Sequence, residues 1–448
     1  MDKKLIGKCV DYTYDGKGII KKDNKVDFVD GVLKDEEVEI EIIYESKNQT
    51  LGKLLKIIKS SPHRVKPFCP LAKECGGCAL QHLEYKKQLA FKTNHVQDCI
   101  NKFSKLDIKV KDCMGMEIPF NYRNKSQVPF SMSKKQICYG FYKENSHQII
   151  QMNSCAIQTK DADEILSTIK ELFKKYRLSA YEEDKRKGIL RHVLIKKGFA
   201  TNQIMIVLIT NVNAFPNRKE IVKDLVKVYP NIKTIVQNIN TRDTNVILGE
   251  QENILYGNGY IEDILLGIKF KISSKSFYQV NPIQTEKLYS KAITLASLKK
   301  SDRILDTYCG IGTIGLIVSK NVDEVIGVEI VKDAIKDAKN NAILNNINNT
   351  HFVHADASDF MVDLAKTSEK IDVVFTDPPR KGCDEKFLTS LMKLAPQKIV
   401  YISCNPSTLA RDLSILKEKY NVIEIQPVDM FPHTYHVETI ALLHLKKN

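Results

Sequence analysis

Four acidic residues stand at or next to the ends of apolar, strand-length stretches in the last third of the chain: Asp306, Glu329, Asp356 and Asp377. Parallel strands place their carboxyl ends at one edge of a sheet, so these carboxylates are expected to converge where open α/β sheets bind ligands. At any single position the alternative is an acidic N-cap on the following helix. The set of four favours a ligand site.

A glycine turn, Tyr308-Cys309-Gly310-Ile311-Gly312-Thr313, follows the first of these strands. Glycine lets a ligand approach the backbone closely because it has no Cβ. Glu329 follows Asp306 by 23 residues, a spacing typical of a carboxylate that accepts hydrogen bonds from ribose hydroxyls. NAD and S-adenosylmethionine both carry such a ribose. The turn is a poor phosphate cradle, which favours S-adenosylmethionine, a cofactor without phosphate.

Cys404, in YISCNPST, lies between an apolar strand and a helix at the same predicted sheet edge. A cysteine there is often a small core residue, but helix N-termini stabilise thiolates and the nearby carboxylates favour a catalytic role. Addition of a thiolate to carbon 6 of uracil would make carbon 5 able to attack a methyl sulfonium. A base must then remove the carbon 5 proton. Glu438, which begins the last apolar strand, is the candidate base; a surface charge at a strand end is the alternative.

A second group of cysteines lies near the N-terminus. Cys69, Cys75 and Cys78 share one glycine-bearing loop, and Cys155 is the candidate fourth ligand. Eleven cysteines in a protein expected in the cytoplasm favour metal binding or catalysis over disulfides. On chemistry alone four thiolates suit zinc and an iron-sulfur cluster equally.

The net charge of +14 is concentrated in residues 61–200, which hold 26 basic and 14 acidic residues. Such an excess is expected of a surface that meets a polyanion, although a solvated lysine-rich surface is equally compatible. Within it, PFNYRNKSQVPF interleaves aromatic and cationic side chains that could stack bases and pair phosphates, or simply be core rings beside solvated charges. The residues concerned are Phe120, Tyr122, Arg123, Lys125 and Phe130.

Three regions must position these residues. Residues 1–60 alternate like strands and predict a small β-barrel, residues 61–270 predict a central α+β RNA-binding domain, and residues 271–448 alternate strands with helices. The fold class is therefore α/β, with a Rossmann-like doubly wound domain at the C-terminus. No apolar stretch is long enough to span a membrane and the N-terminus lacks a secretory signal, so a cytoplasmic protein is expected.

Four motifs together resemble the RNA uracil-5 methyltransferase family, a class I S-adenosylmethionine-dependent family, over essentially the whole chain. The motifs are DTYCGIGT from Asp306, DPPRKG from Asp377, SCNP around Cys404 and HVET around Glu438. The resemblance implies that Cys404 is the nucleophile and Glu438 the base. It places the cofactor contacts on Gln279, Tyr308, Glu329, Asp356 and Asp377. Residues 5–20 and 26–42 resemble the TRAM module, an RNA-binding barrel.

The cysteine spacing resembles the [4Fe-4S] site of the 23S ribosomal RNA branch of that family. This implies a cluster on Cys69, Cys75, Cys78 and Cys155 and a uridine of 23S ribosomal RNA as substrate. A monomer is expected. A transfer-RNA uracil-5 methyltransferase is the alternative enzyme. A non-catalytic RNA-binding protein with this fold would be expected to lose Cys404 or Glu438, and a DNA cytosine-5 methyltransferase would carry its cysteine in a Pro-Cys motif, which is not found.

Overall fold

The computed structural model describes residues 4–22, 25–46, 49–143, 146, 148–243 and 246–447. Its first region is a closed barrel with strand order β1-β2-β3-β5-β4. The strands are β1 Lys4–Tyr12, β2 Gly18–Lys22, β3 Lys25–Val29, β4 Glu37–Glu45 and β5 Thr50–Lys59. Small aliphatic side chains such as Ile20, Val29 and Ile40 fill the interior. The predicted N-terminal barrel is confirmed.

The central region is built on a seven-stranded sheet with order β12-β11-β10-β9-β6-β7-β8. A short 3-10 turn, Gly76–Cys78, and helix α1, Tyr85–Cys99, which continues as a π-helical turn over Ile100–Ser104, precede it. Its elements are β6 Lys125–Ser133, β7 Gln136–Tyr142, β8 Ile149–Gln151, α2 Lys160–Lys175, β9 Leu190–Lys197, β10 Ile204–Thr210, α3 Arg218–Val228, β11 Ile232–Ile239 and β12 Gln251–Tyr256. The apolar faces of α2 and α3 pack with the sheet in one core.

Helix α1 packs away from that sheet. Its Val96 and Cys99 share a core with Leu409 and Leu413 near the C-terminus. A hairpin of β13 Tyr260–Leu265 and β14 Ile268–Ser273 connects the central sheet to the last region. The central and C-terminal regions are therefore joined through the core as well as through the chain.

The C-terminal sheet has the order β17-β16-β15-β18-β19-β21-β20. Its elements are α4 Pro282–Ala296, β15 Arg303–Thr307, α5 Thr313–Val318, β16 Glu324–Glu329, α6 Lys332–Leu344, β17 Thr350–His354, α7 Ala357–Leu364, β18 Val373–Thr376, α8 Glu385–Leu394, β19 Lys398–Ser403, α9 Pro406–Leu416, β20 Tyr420–Val428 and β21 Glu438–Leu445. The first five strands are parallel and β21 runs antiparallel between β19 and β20. The strand order reverses between β15 and β18, so the ligand crevice of this doubly wound sheet is expected there.

Candidate active site

The turn after β15 forms the floor of the crevice. Asp306 is buried and its carboxylate accepts a hydrogen bond from the Gly315 backbone N–H at 2.8 Å, which ties the strand to α5. Tyr308 adopts a left-handed conformation with φ of 61°, and Gly312, the N-cap of α5, has φ of 81°. A Cβ on Gly312 would also lie 2.8 Å from the Phe352 ring. The glycine is therefore required by both conformation and packing.

Glu329 is the last residue of β16, and Asp356 follows β17. Their carboxylates make different hydrogen bonds. The Glu329 carboxylate accepts hydrogen bonds from the backbone N–H groups of Gly310 and Val331, at 3.1 and 2.9 Å. It therefore bridges the glycine turn and its own strand end. Asp356 is the N-cap of α7, and its Oδ1 accepts from Ser358 and Asp359. The N-cap alternative is thus realised at Asp356, where one oxygen makes both capping bonds.

Gln279 enters the crevice from the segment before α4. Its backbone carbonyl accepts a hydrogen bond from the Asn124 side chain at 3.0 Å, and its own side chain is hydrogen-bonded to the Tyr289 hydroxyl. Tyr289 is only 3% exposed. Burial raises its pKa well above the usual value, and Asp377 and Asp306 raise it further. Sequence analysis missed Tyr289, because a tyrosine inside an amphipathic helix carries no local signal for a site.

Cys404 and Glu438 are brought together by the pairing of β19 with β21. These strands are antiparallel and Ser403 pairs with Thr439, so the next position of each strand is Cys404 on one and Glu438 on the other. Neighbouring strands in a sheet lie about 4.8 Å apart. The pKa of the Cys404 thiol responds to the Glu438 carboxylate, as expected of close neighbours. The two residues predicted to perform the covalent chemistry therefore face each other.

The crevice concentrates negative charge. Burial raises the pKa of Asp377 to about 7. Burial also raises the pKa of Asp306 to about 7, with Asp377 and Glu329 adding to the effect. Glu438 is 5% exposed, and burial together with Asp377 raises its pKa to about 8, against the opposing effect of Arg380. Burial makes the charged forms of these carboxylates unfavourable. A cationic ligand bound beside them would stabilise the charged forms.

The expectation that the helix N-terminus lowers the pKa of Cys404 and so stabilises a thiolate is wrong. Burial, Glu438 and Asp377 raise the pKa of the thiol to about 11, and Arg380 only partly opposes them. The helix dipole is a modest local effect; two neighbouring carboxylates and partial burial outweigh it. Arg380 is exposed at the mouth of the crevice, where its backbone carbonyl accepts a hydrogen bond from the Asn405 side chain at 3.0 Å.

Two other cysteines lie in the same sheet region and differ from Cys404 in accessibility. Cys309 and Cys383 are 6% and 3% exposed, whereas Cys404 is partly exposed. Burial raises the pKa of Cys383 to about 12 and that of Cys309 well above its usual value. A nucleophile must reach its substrate, so Cys404 is the best placed of the three.

The segment between β20 and β21, which leads into Glu438, is fixed by helix α1. Asp429 forms an ion pair with Lys92, and both side chains are fully buried. The Tyr85 hydroxyl donates to Asp429 at 2.8 Å, and Lys92 also donates to the Phe431 carbonyl at 3.1 Å. The Gln88 side chain accepts from the His433 backbone N–H at 3.0 Å. One face of α1 therefore holds the approach to the candidate base.

The cysteine loop packs beside this segment. Cys78 and Cys155 contact one apolar cluster that includes Tyr122, whose hydroxyl donates to the Pro432 carbonyl at 3.0 Å. Burial raises the pKa of Cys78 to about 12, and Cys155, Cys75 and Cys69 all contribute, so the four thiols are neighbours. All four are free and partly exposed.

Within the described ranges, no three metal-ligating side chains are placed to hold a single metal ion. A cubane has four irons, each bound by one cysteine, so its ligands stand further apart than those of one ion. The chemistry of the donor set, four neighbouring free thiols at the edge of an apolar cluster, fits such a group.

The aromatic and cationic residues of the segment PFNYRNKSQVPF differ in how far they are buried. Tyr122 and Phe130 are 0% and 2% exposed and belong to the core, so they cannot stack a base. Arg123 and Lys125 are partly exposed, and Arg123 contributes to the lowered pKa values of Lys125 and His436. Phe120 is partly exposed and packs with Phe68 at 5.0 Å between ring centroids.

Comparison with known proteins decides the family. The sequence profile of the family described as tRNA (Uracil-5-)-methyltransferase matches residues 84–446. The chain belongs to this family. A relative from Clostridium tetani named as an uncharacterized RNA methyltransferase is 46% identical over 429 residues, which cover 96% of this chain and 93% of the relative. A relative of the same description from Staphylococcus aureus is 45% identical over 442 residues, 98% of each chain.

A solved structure is similar over the whole length. The Pyrococcus abyssi tRNA (uracil-54, C5)-methyltransferase, in complex with S-adenosyl-L-homocysteine, matches with a TM-score of 0.81 and 28% identity, covering 98% of this chain and 100% of that chain. The family confirms the predicted class of enzyme, an RNA uracil-5 methyltransferase that takes its methyl group from S-adenosylmethionine. In the described part of the chain, no helix is long and apolar enough to cross a membrane.

Proposed function

We propose that this enzyme methylates carbon 5 of a uridine in 23S ribosomal RNA, with Cys404 as covalent nucleophile and Glu438 as base. The observation that carries the mechanism is the register of β19 against β21, which sets Cys404 opposite Glu438 at the edge where Asp306 and Asp377 end their strands. The proposed nucleophile and the proposed base are thus both next to the crevice expected to hold the methyl donor.

Cys404 acts first. Its partly exposed thiol gives its proton to water, and the sulfur adds to carbon 6 of the uracil while the electron pair of the 5,6 double bond moves onto carbon 5 and the carbon 4 carbonyl. Burial, Glu438 and Asp377 raise the pKa of Cys404, so deprotonation of the thiol is part of the addition step. S-adenosylmethionine supplies the methyl group, which carbon 5 takes from its sulfonium.

Glu438 acts second. Its carboxylate removes the carbon 5 proton, the 5,6 double bond forms again, and the Cys404 sulfur leaves carbon 6 with its electron pair. A base is most effective when its pKa is near the working pH, and burial beside Asp377 brings the pKa of Glu438 to about 8. Arg380, at the mouth, opposes that rise and limits it.

The cofactor is assigned to the crevice between β15 and β18. Glu329 would accept hydrogen bonds from the ribose hydroxyls, Asp356 and Tyr308 would flank the adenine end, and Gln279 and Asp377 would lie toward the methionine end. The support is the acidic crevice itself, in which Asp306, Asp377 and Glu438 all have raised pKa values because they are buried near one another. A sulfonium cation offsets that unfavourable charge.

The decisive experiment separates the two residues by the order in which they act. Labelled RNA that carries 5-fluorouridine at the target should give a retarded band with the wild type on a denaturing gel, because fluorine cannot leave as a cation. Glu438→Gln should give the band with ordinary RNA, whereas Cys404→Ala should give none with either RNA. Cys383→Ala, a nearby buried thiol, is the matched control and should behave like the wild type. A band from Cys404→Ala would overturn the assignment.

The class of RNA has a second candidate. A transfer-RNA substrate is favoured by the similarity to the Pyrococcus abyssi tRNA enzyme over the full chain, whereas the cysteine set supports 23S ribosomal RNA through its resemblance to that branch. Purified 23S ribosomal RNA and bulk transfer RNA from cells that lack the enzyme should be offered separately with labelled S-adenosylmethionine. Methylation of transfer RNA alone would overturn the ribosomal assignment and leave the mechanism intact.

We also propose that Cys69, Cys75, Cys78 and Cys155 hold a [4Fe-4S] cluster. Its support is the proximity of four free thiols from two distant parts of the sequence, of which Cys78 and Cys155 pack on one apolar cluster. Anaerobic purification should give a brown protein with about four irons per chain. Cys78→Ser should lose the iron and colour, and Cys138→Ser, a buried thiol elsewhere in the central sheet, should keep both. Stoichiometric zinc without iron would decide for a zinc site.

A further inference from the structure

A line of aromatic rings leads from the candidate base to the N-terminal barrel. His436 lies two residues before Glu438, and its ring is 4.3 Å from that of Tyr435. The Tyr435 ring is 6.4 Å from Tyr14, edge to face at 86°. Tyr14 belongs to the turn between β1 and β2 and is 68% exposed. The rings therefore join two regions of the molecule that are separated by more than 400 positions in the chain.

The line continues into a cleft of about 360 Å³ between the barrel and α1. Tyr14 is part of its wall, and Tyr12 packs edge to face on Phe91 deeper in, with ring centroids 5.5 Å apart. Polar groups that can recognise a base edge line the same cleft, among them Lys34, Lys87 and Asn94. The carboxylates of Asp11, Asp35 and Asp98 line it too, so the cleft favours an uncharged base over a phosphate. The cleft has the size and mixed apolar and polar lining of a small-ligand pocket.

The inner end of the ring line has cations that a polyanion can reach. Burial lowers the pKa of His436 to about 4, and Arg380, Lys92 and Arg123 lower it further. Lys92 is fully buried and paired with Asp429, so the cations available to a phosphate are Arg380, which is exposed, and Arg123, which is partly exposed. Unpaired RNA needs accessible rings beside such cations, since bases stack on the rings and phosphates pair with the cations. A protein partner would more often cover a contiguous apolar patch than a single file of polar aromatic rings.

We propose that the unpaired nucleotides next to the target uridine stack along His436, Tyr435 and Tyr14, and that one of their bases enters the cleft between the barrel and α1. The target carbon is reachable only when its base has left a helical stack, so neighbouring nucleotides are unpaired when the site is filled. This inference rests on the proposed function, and it adds the path of the RNA strand away from the site.

The test measures binding of a labelled single-stranded RNA with one central 5-fluorouridine. Tyr14→Ala and Tyr435→Ala should each weaken binding by about 5-fold to 150-fold, the equivalent of about 1 to 3 kcal/mol per stacked base. Tyr14→Phe keeps the ring and should bind like the wild type. Tyr44→Ala is the matched control, because Tyr44 is also an exposed barrel tyrosine, at 53%, but lies at the far end of β4 outside the ring line.

A second measurement locates the strand. RNA with 5-iodouridine one to four nucleotides from the target should crosslink under ultraviolet light to Tyr14 or Tyr435, and the crosslinked peptide identifies which. Equal binding by Tyr14→Ala, Tyr435→Ala and Tyr44→Ala, or crosslinks only outside the ring line, would overturn the proposal. The covalent band of the wild type on the same RNA reports separately on the proposed function. If the band forms and the tyrosine variants bind normally, only the strand path is wrong.

Discussion

The cofactor crevice and the approach to Glu438 are two halves of one site that are built in different ways. The crevice is assembled locally, since Asp306, Glu329 and Asp356 each end a strand of one parallel sheet or follow it directly. The approach to Glu438 is held from outside the sheet, by an α1 side chain 337 residues away from Asp429. A local site depends on the sheet itself. A site held from outside can lose its alignment while the sheet stays folded.

This difference bears on the reaction. The methyl donor is expected to bind in the local half, whereas the proposed proton removal by Glu438 would depend on the half that α1 holds. Changes at the α1 contacts should therefore impair the second chemical step more than cofactor binding, and changes at the strand ends should do the reverse.

The largest effect is expected at the buried ion pair. Lys92→Met leaves the Asp429 carboxylate buried without its cation, which should lower the free energy of unfolding by about 3 to 5 kcal/mol. The segment before Glu438 also loses the hydrogen bond from Lys92 to the Phe431 carbonyl. Elimination should slow more than addition, so covalent RNA–protein complex should accumulate with ordinary RNA. Urea denaturation measures the first effect and the denaturing gel the second.

Two further variants sharpen that result. Lys86→Met removes an exposed lysine from the same helix and should change neither stability nor the covalent band. The double variant Lys92→Met with Asp429→Leu removes both charges and should recover part of the lost stability. An unstable Lys92→Met protein with normal turnover per folded molecule and no accumulated complex would show that the ion pair is structural only.

The contrast between the two halves also explains how much could be predicted from the sequence. The barrel, the doubly wound sheet and the carboxylates at its edge follow from strand-period patterns and from the rule that parallel strands end together, and they are confirmed as elements of the fold. Cys404 and Glu438 lie opposite each other because of the antiparallel register of β21 against β19. No local sequence pattern specifies that register. Only the family resemblance of the two motifs suggested that the residues act together.

What the sequence could not predict is non-local. Lys92 and Asp429 are ordinary charged residues until the fold buries them together. The raised pKa of Cys404 comes from burial and then from carboxylates of two other parts of the sheet, Glu438 and Asp377, whereas the local helix N-terminus alone predicts the opposite shift. The roles of the site residues and the boundaries of the domains stay predictions.

The next effect concerns pH. Burial and Asp377 raise the folded-state pKa of Glu438 to about 8, above the unfolded value of about 4.3. A carboxyl group with a raised folded-state pKa contributes stability at low pH that is lost as the pH rises through the folded value. The wild type should therefore lose about 2 to 4 kcal/mol relative to Glu438→Gln between pH 5 and pH 9. Unfolding curves without cofactor measure this, and parallel pH dependences would contradict it.

Within the cofactor half, Glu329→Ala and Asp356→Ala should each weaken binding of S-adenosylmethionine by about 1.5 to 3 kcal/mol, tenfold or more, because each removes charge-assisted hydrogen bonds. Calorimetry measures the affinity. Asp356→Ala also removes the cap of α7, which costs about 0.5 to 2 kcal/mol of stability. Asp356→Ser keeps a capping oxygen and isolates the loss of charge. Unchanged affinity in both alanine variants would remove these two residues from the cofactor site.

The smallest effect is expected at Tyr289, and it tests whether Gln279 is positioned or merely present. Tyr289→Phe removes only the hydroxyl that is hydrogen-bonded to the Gln279 side chain, so the affinity for S-adenosylmethionine should fall by about 0.5 to 1.5 kcal/mol, roughly 2-fold to 10-fold. Tyr420→Phe is the matched control, because Tyr420 is also a buried tyrosine of this sheet whose hydroxyl donates to a backbone carbonyl, that of Pro396 at 3.1 Å, at the start of β20. It should leave the affinity unchanged.

A double-mutant cycle with Gln279→Ala completes the test. If Tyr289 acts by orienting Gln279, removing the Tyr289 hydroxyl has no further effect on the affinity once the Gln279 side chain is gone. Independent, additive losses would mean that the two residues act separately on the cofactor.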